Sequence, residues 1–590
     1  MTYAHLRLVH PTPLAPSPAG RPARGQERSR VDLKAHPPDV RLIDRLGADF
    51  CIRHAMVPWK QIGGATIFVC AQPEAFAHCL DTLPEGFRRA HIASAPEGEI
   101  QAALLCARRK SLVRIAETRV AEHESCRTWN SRLGRRLGLC LLLLVGGLFY
   151  MLPTAGFTFL AGWAILTLIL SALLKASAAI WHLRRPPPER QTPPHLRLCG
   201  KGQDLPVVSI IVPLFRERKI AARLVKRLGA LTYPRTHLDI CLAVEEDDTL
   251  TQETLAAAAL PGWMRQITVP RGSVKTKPRA LNFALDFCKG SIIGVYDAED
   301  APEPDQIHRV VDHFRSCGPK VVCLQGILDF YNARDNWLAR CFTIEYATWF
   351  RVILPGLQRL GFVIPLGGTT LFFRRTALED LGRWDAHNVT EDADLGVRLA
   401  RRGLRTELLH SVTNEEANCR FWPWVKQRSR WIKGYAMTYG VHMRAPGQLL
   451  RDLGWWRFFG VQLVFLGTLS QFALAPILWS FWALPLGLPH PLVGIMPPGL
   501  VIGVTAVFVG SEVLSITVGV LAVSGQKHRH LRFWVPTLHL YFPLASLAAM
   551  KGFFEIVTRP FYWDKTDHGD FGVPAEDAFT PADPPRPHPP

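Results

Sequence analysis

Residues 290–306 read GSIIGVYDAEDAPEPDQ, an apolar β-type run that ends in carboxylates. Asp297 and Glu299 are separated by one residue, so both can face a hard divalent cation such as Mg²⁺ or Mn²⁺. A cation held there can bridge the phosphates of a nucleotide and stabilise its departure. Asp300 stands next to them, and either Glu299 or Asp300 can complete such a site. Taken alone the run is equally a short acidic turn. Other chemistry-bearing residues lie around it. LPVVSIIVPLFRE carries Phe215 and Glu217 just past a buried strand, and LDICLAVEEDDT is a second strand ending in acids, among them Glu245 and Asp247. That acidic end by itself reads as readily as a solvated loop. In VKTKPRALNFAL, Lys277 precedes a turn into a helix, a position suited to a phosphate. In WDAHNVTEDADLGVRL, Thr390, Glu391 and Asp392 precede a helical register. In QRSRWIKG, Gln427 shares a helix face with Arg430 and Trp431 through i,i+3 and i,i+4 spacing. Trp431 also suits an interfacial aromatic belt.

The elements that must position these residues alternate apolar strand-like runs with charged helical stretches over 203–450, the pattern of an α/β domain. Carboxylates at the ends of its strands then fall where open α/β sheets bind ligands. On either side the chain turns apolar. Residues 139–181 are long enough for two transmembrane helices with a break at PTAG. A stiff Pro-rich linker follows. Residues 455–557 return to the membrane pattern, with spans expected over 458–486 and 497–523. Residues 531–557, which contain Pro543, Lys551 and Glu555, read as a bent, re-entrant or interfacial segment. Residues 38–125 read as a small α+β cytosolic domain. Residues 1–37 and 558–590, rich in Pro and polar residues, read as a disordered tail and a cytosolic C-terminal tail.

Of the 590 residues 48% are hydrophobic, and the formal charge is +19. Ten of those net positive charges lie in 103–138 and 183–201, which bracket the first apolar stretch. That is the positive-inside pattern of cytoplasmic flanks. It accounts for the basic balance without a nucleic-acid partner, and neither zinc-finger spacing nor an aromatic RNA-binding motif is present. Thirteen scattered cysteines with no Cys-x-x-Cys pair suit free thiols in a reducing compartment.

An acid-tipped second strand, a Lys before ALN, a D-x-D-like DAED, a T-E-D and a Q-x-x-R-W occur in that order between apolar segments. The ordered set resembles the cellulose-synthase-like, membrane-embedded branch of the family-2 glycosyltransferases. The resemblance implies an α/β GT-A glycosyltransferase domain inserted between α-helical transmembrane segments. It also implies a nucleotide-sugar donor, UDP-linked by preference, Mg²⁺ or Mn²⁺, and inversion at the anomeric carbon. It assigns Phe215, Glu217 and Glu245 or Asp247 to the nucleobase and ribose, and Lys277 to the diphosphate. Asp297 and Glu299 (or Asp300) take the metal, with Asp392 as general base beside Glu391. Gln427, Arg430 and Trp431 would hold the diphosphate and the acceptor end. EEDD departs from the family's paired Asp followed by Gly. The glycines of PLGGTTLFF either admit a sugar close to the backbone or mark a tight turn. Trp563, Lys565 and His568 in RPFYWDKTDHGDF resemble gating segments of membrane polysaccharide synthases, or anchor the chain at a membrane exit. Residues 38–125 faintly resemble the N-terminal domain of type II secretion ATPases, with no residues that demand a ligand.

The expectation is therefore a multi-pass enzyme of a bacterial inner membrane with its catalytic domain cytosolic. It would extend a glycan processively, coupled to export through the surrounding spans, with membrane lipids and an envelope export partner among its partners. The alternatives are single transfer to a lipid-linked acceptor and a catalytically dead membrane scaffold.

Overall fold

A computed structural model describes residues 30–562 apart from 73–75, 77–78, 80–82, 130, 185–204, 218–220 and 259. Trp563, Lys565 and His568, and most of both tails, lie outside the described residues. Residues 30–37 do not belong to a loose tail. Arg30 bridges to Ser94, and Val31 and Leu33 are buried.

The first unit is a three-stranded sheet, β1 (Met56–Ile62), β2 (Ala65–Cys70) and β3 (Ala90–Ser94). β1 and β2 form a hairpin closed by Gly63 and Gly64, both at positive φ (56° and 81°), which an L side chain adopts only with strain. Phe68, Phe76 and Phe87 fill the core on one side of this sheet. The helix Glu97–Thr118 leads out of the unit.

The second unit is an eight-stranded mixed sheet. Its strands are β4 (Val208–Leu214), β5 (Leu238–Glu245), β6 (Met264–Val269), β7 (Ile292–Val295), β8 (Ala301–Pro302), β9 (Val321–Phe330), β10 (Leu371–Arg374) and β11 (Arg405–Glu415). Their order is β6-β5-β4-β7-β10-β9-β11-β8. The first four strands run parallel, and β10 is antiparallel to both its neighbours. β4, β5 and β7 are buried along almost their whole length, because helices cover both faces; that is why they read as continuous apolar runs rather than alternating ones. The chain steps from β4 outward to β6, then returns to place β7 on the other side of β4. A crevice therefore opens beyond the carboxyl ends of β4 and β7.

Apolar helices flank this sheet domain in sequence. Among the described residues three are long and apolar enough to cross a membrane: Ser131–Met151, whose qualifying stretch starts at Gly134, Pro153–Leu183 and Pro498–Ala522. Two bent pairs raise the count to five if each is one span. Pro446–Ala473 meets Ala475–Ala483 at 66°, and Gln526–Tyr541 meets Leu544–Thr558 at 49° across Pro543. Proline removes a helix hydrogen bond and clashes with the preceding turn, so a bend at Pro543 is expected.

The sheet and the last bent pair are joined through Asp329 on β9. Its carboxylate accepts from His528 Nε2 at 2.8 Å and Arg351 at 2.8 Å, and lies 3.1 Å from Lys527 Nζ. Burial alone would raise its pKa; the His528 hydrogen bond and the charges of Lys527, His528 and Arg351 hold it well below the usual carboxylate range. Removing one partner of a buried ion pair costs about 3–5 kcal/mol. Asp329→Ala is expected to lower thermal stability by that order at neutral pH, with the difference shrinking in strong acid, where the wild-type carboxyl is itself protonated. Melting curves of the two proteins against pH check this.

Candidate active site

β7 ends at Val295, and the next residues turn back under β10. In that turn Asp300 is fully buried: its carboxylate accepts from Asp297 N at 2.8 Å and from Thr369 Oγ1. Asp300 therefore braces the turn, while Asp297 and Glu299 face a cavity of about 640 Å³. Of the two residues the sequence left open, Glu299 lines the cavity and Asp300 does not.

Three segments converge on Asp297. The helix Lys277–Leu285 begins with Lys277, and Pro278 suits its first turn. Lys277 Nζ lies 2.5 Å from Asp297 Oδ1 and donates to Gly368 O at 2.7 Å. The helix Glu391–Arg401 brings Asp392 to the same point. A Cβ at Gly368 would stand 3.6 Å from Asp392 Oδ2 and 3.7 Å from Lys277 Nζ, so the two groups approach each other beside this residue. Burial opposes the charge on Lys277, but Asp297, Glu391 and Asp392 outweigh it and raise its pKa. Burial and the Asp392 charge push Glu391 up to about 8. Burial also pushes Asp392 up to about 6, against the Ala393 backbone hydrogen bond and the Lys277 charge. Of the two neighbouring carboxyls Glu391 is raised further than Asp392, the direction that favours Asp392 as the base of the pair.

Glu415, the last residue of β11, was not singled out by the sequence. It lines the same cavity, and its buried Oε1 makes no hydrogen bond. Burial, then Asp300, Glu299 and Asp297, raise its pKa well above the ordinary value. The signal was there, since β11, like β5 and β7, runs into carboxylates at its end. Asp297, Glu299 and Glu415 thus line the cavity beside Lys277, with an orphaned carboxylate oxygen on Glu415; carboxylates are the ligand type of a hard divalent cation. Asp239, Cys241 and Cys288 also lie close enough together to hold a metal, but Arg265 already pairs with Asp239 at 2.9 Å.

On the β4–β5 side, Phe215, Glu217 and Glu245 line the cavity. Lys275 Nζ sits 4.8 Å from the Phe215 ring centroid and 2.7 Å from Asp247. Glu245 is bound to Arg279 at 2.5 Å inside the protein. Asp248 is structural: it caps the helix Thr249–Ala257 and accepts from Arg216 N at 2.5 Å, fixing the turn that carries Phe215. The EEDD run is thus neither a loose loop nor one site; Glu246 pairs with Arg109, and each acid has its own partner.

Gln427, Arg430 and Trp431 lie on the helix Phe421–His442, and all three line the cavity. Gln427 accepts from Asn418 at 2.8 Å. Trp431 packs 5.9 Å from Phe342 and 6.0 Å from Tyr346, so it is part of the site wall rather than a free surface aromatic. The cavity continues between the apolar helices, where Lys175, Glu512, Ser515 and His539 line it with Trp479, Trp482 and Phe508.

A family model described as "Glycosyltransferase like family 2" matches residues 206–434, the span that holds every one of these strand tips. Residues 206–434 form a family-2 glycosyltransferase-like domain. A second model, for the MshEN domain, matches residues 22–105, where the sequence indicated a separate small module. The chain is 26% identical to "Probable glycosyltransferase YdaM" of Bacillus subtilis over 39% of its length and 56% of that protein. It is 30% identical to "Beta-monoglucosyldiacylglycerol synthase" of Nostoc over 40% of its length and 50% of that protein. It is 24% identical to "Glucomannan 4-beta-mannosyltransferase 7" of Arabidopsis thaliana over 43% and 46%. The chain thus spans about half the length of the curated relatives it matches. The fold is an α/β domain on a mixed sheet, flanked in sequence by apolar helices and preceded by a small α+β unit.

Within the glycosyltransferase domain, Gly434 is the contact that sets the Glu391–Arg401 helix. A Cβ built at Gly434 would overlap the side chain of Thr390, which precedes Glu391. Alanine improves helix propensity by about 1 kcal/mol, but overpacking a filled site costs about 1–3 kcal/mol. Gly434→Ala is therefore expected to lower stability and to displace Glu391 and Asp392, cutting turnover more than tenfold. Melting temperature and initial rates measured on the same preparation check it.

Proposed function

We propose that the chain transfers a sugar from a nucleotide-sugar donor, UDP-linked by preference, to a growing glycan at the cytosolic face of a bacterial inner membrane, with inversion. The observation that carries this reading is the meeting of Lys277, Asp297 and Asp392 at one end of a cavity that runs on between the apolar helices. Phe215 and Glu217 receive the nucleobase end, and Lys277 takes the diphosphate. Asp297, Glu299 and Glu415 would hold Mg²⁺ or Mn²⁺, which would offset the charge developing on the departing nucleoside diphosphate. Arg430 adds positive charge on the same side. Asp392 takes the proton of the acceptor hydroxyl, and direct displacement from the opposite face inverts the anomeric centre. Trp431 and Tyr346 give the acceptor ring an aromatic face.

Processive synthesis is supported by the continuity of the cavity. Charged groups are costly between apolar helices and stay there when they serve a pathway. Lys175 donates to Ser515 at 3.0 Å, and His539 meets Glu512 at 2.5 Å, so hydroxyl-binding groups stand beside Trp479 and Trp482 along that route. The same route supports reading the synthesis as coupled to export. A second reading, one sugar added to a lipid-linked acceptor, is favoured by the apolar part of the same wall, Leu168, Leu469, Phe472 and Phe508, which suits acyl chains.

The test is nucleotide release by the detergent-purified full chain, offered UDP- and GDP-sugars with Mg²⁺ or Mn²⁺, followed by sizing of the product. Release with a long product is expected. Release with only short, lipid-extractable products selects the second reading. Absence of both release and donor binding would leave a membrane scaffold that keeps the fold.

A further inference from the structure

The N-terminal unit does more than precede the catalytic domain. Its outgoing helix ends against the loop that leads into Lys277. Glu117 Oε1 accepts from Ser273 N at 2.7 Å and Val274 N at 3.4 Å, and Oε2 accepts from Ser273 Oγ at 2.6 Å. This one carboxylate, which is buried, takes three hydrogen bonds from two consecutive residues of another domain. There is no slack at the contact, because a Cβ at Gly272 would overlap Glu117 Oε1. The same loop continues through Lys275, over Phe215, to Lys277.

The segment after that helix reaches the other side of the site. Ser125 Oγ donates to Asp385 Oδ1 at 2.8 Å, and Cys126 N donates to Asp385 Oδ2 at 2.6 Å, all inside the protein. Asp385 begins the loop that leads to Thr390, Glu391 and Asp392. The two loops are also tied to each other. Thr276 Oγ1 donates to Ala386 O at 2.7 Å, and Asn282 Nδ2 donates both to Ala116 O at 2.9 Å and to Trp384 O at 2.8 Å. Asn282 therefore joins the N-terminal helix, the Lys277 helix and the Asp385 loop at one buried amide. Glu117, Ser125, Cys126 and Ala116 each bond across the boundary between the two units, and buried networks of this kind hold a single geometry.

We propose that Glu117 and Ser125, which lie outside the glycosyltransferase domain, are positioning residues for it: Glu117 sets the Lys277 loop and so donor binding, and Ser125 sets the Asp385 loop and so the placement of Asp392. The roles of Lys277 and Asp392 in this statement rest on the function proposed above. The contacts to Ser273, Val274 and Asp385 do not.

Three variants of the full-length chain test it: Glu117→Ala, Glu117→Gln and Ser125→Ala. A displacement of about 1 Å remote from the chemistry can change rates by up to about a hundredfold. Glu117→Ala is expected to raise KM for the donor about tenfold with kcat nearly unchanged, and Glu117→Gln to recover part of that loss, since its amide oxygen still accepts from Ser273 N. Ser125→Ala is expected to lower kcat several-fold at unchanged donor KM. Hydrogen exchange read by mass spectrometry should quicken at 271–277 in the first variant and at 385–392 in the last, with β4 and β5 unaffected. Unchanged exchange in those segments overturns the tether. Quickened exchange in the Glu117 variants with donor KM unchanged and apparent kcat lowered, and no recovery by Gln, overturns the positioning role of Glu117 and leaves a general stability contact. If the wild-type chain transfers from no donor, the proposed function fails, while the exchange measurement still decides the tether.

Discussion

Asp392→Asn lowers transfer by about 10²- to 10⁴-fold, the range supplied by a positioned general base, while the donor still binds with nearly wild-type affinity. The amide keeps the size and the hydrogen-bonding reach of the carboxyl but cannot take a proton. The pH profile gives a second reading of the same residue. Burial raises the Asp392 pKa to about 6, and the base works only when deprotonated. Activity of the wild-type chain should therefore fall as pH drops through about 6 and be near its maximum at pH 7. The residual activity of the Asn variant should lack that acid limb. Single-turnover rates between pH 5 and 8, with donor affinity measured in parallel, decide it. An Asn variant as active as the wild type removes Asp392 from the chemistry.

Asp297→Ala has the next largest effect, and it acts on the donor rather than on the base. Asp297 is one of the acids that make the site electronegative, and it also holds Lys277 at 2.5 Å. Its removal weakens the cation site and frees Lys277, whose remaining carboxylate neighbours are Glu391 and Asp392. Donor KM should rise at least tenfold, which is about 1.4 kcal/mol of binding, and the dependence on Mg²⁺ or Mn²⁺ should flatten. The freed lysine should also pull the apparent pKa of the base downward, moving the acid limb of the pH profile to lower pH. A metal titration on the variant and on the wild type checks the first effect, and a pH profile of kcat checks the second. Unchanged metal dependence would show that Asp297 is not a ligand.

These two residues were legible in the sequence because each belongs to a local pattern. Asp297 follows a buried strand, and Asp392 opens a helix after Thr390. Both features are set by residues near them in the chain. The same holds for the parallel core of β4, β5 and β7, which announced itself as continuous apolar runs, and for the long apolar helices. The Pro278 start of the Lys277 helix is local in the same sense.

Side-chain direction at the ends of those elements was not local. Asp300 looked as good a ligand as Glu299, and it is turned inward by a hydroxyl from Thr369, distant in the chain. Glu415 joins the site because β11 lies beside β9 in a mixed sheet, a pairing that no period in the sequence encodes. Gly368 matters because Lys277 and Asp392 approach it from two helices. Glu117 and Ser125 carried no motif at all.

By itself, then, the sequence determined which residue types stand at the ends of which elements, and that apolar helices flank an α/β domain. Strand and helix periods, caps and apolar length are short-range consequences of backbone geometry and burial. Only the tertiary structure decided which carboxylates share one cavity, which is spent on a turn, and that the N-terminal unit grips both loops of the site. Those outcomes depend on long-range strand pairing and on hydrogen bonds between distant residues, where a few ångströms of placement separate a ligand from a brace.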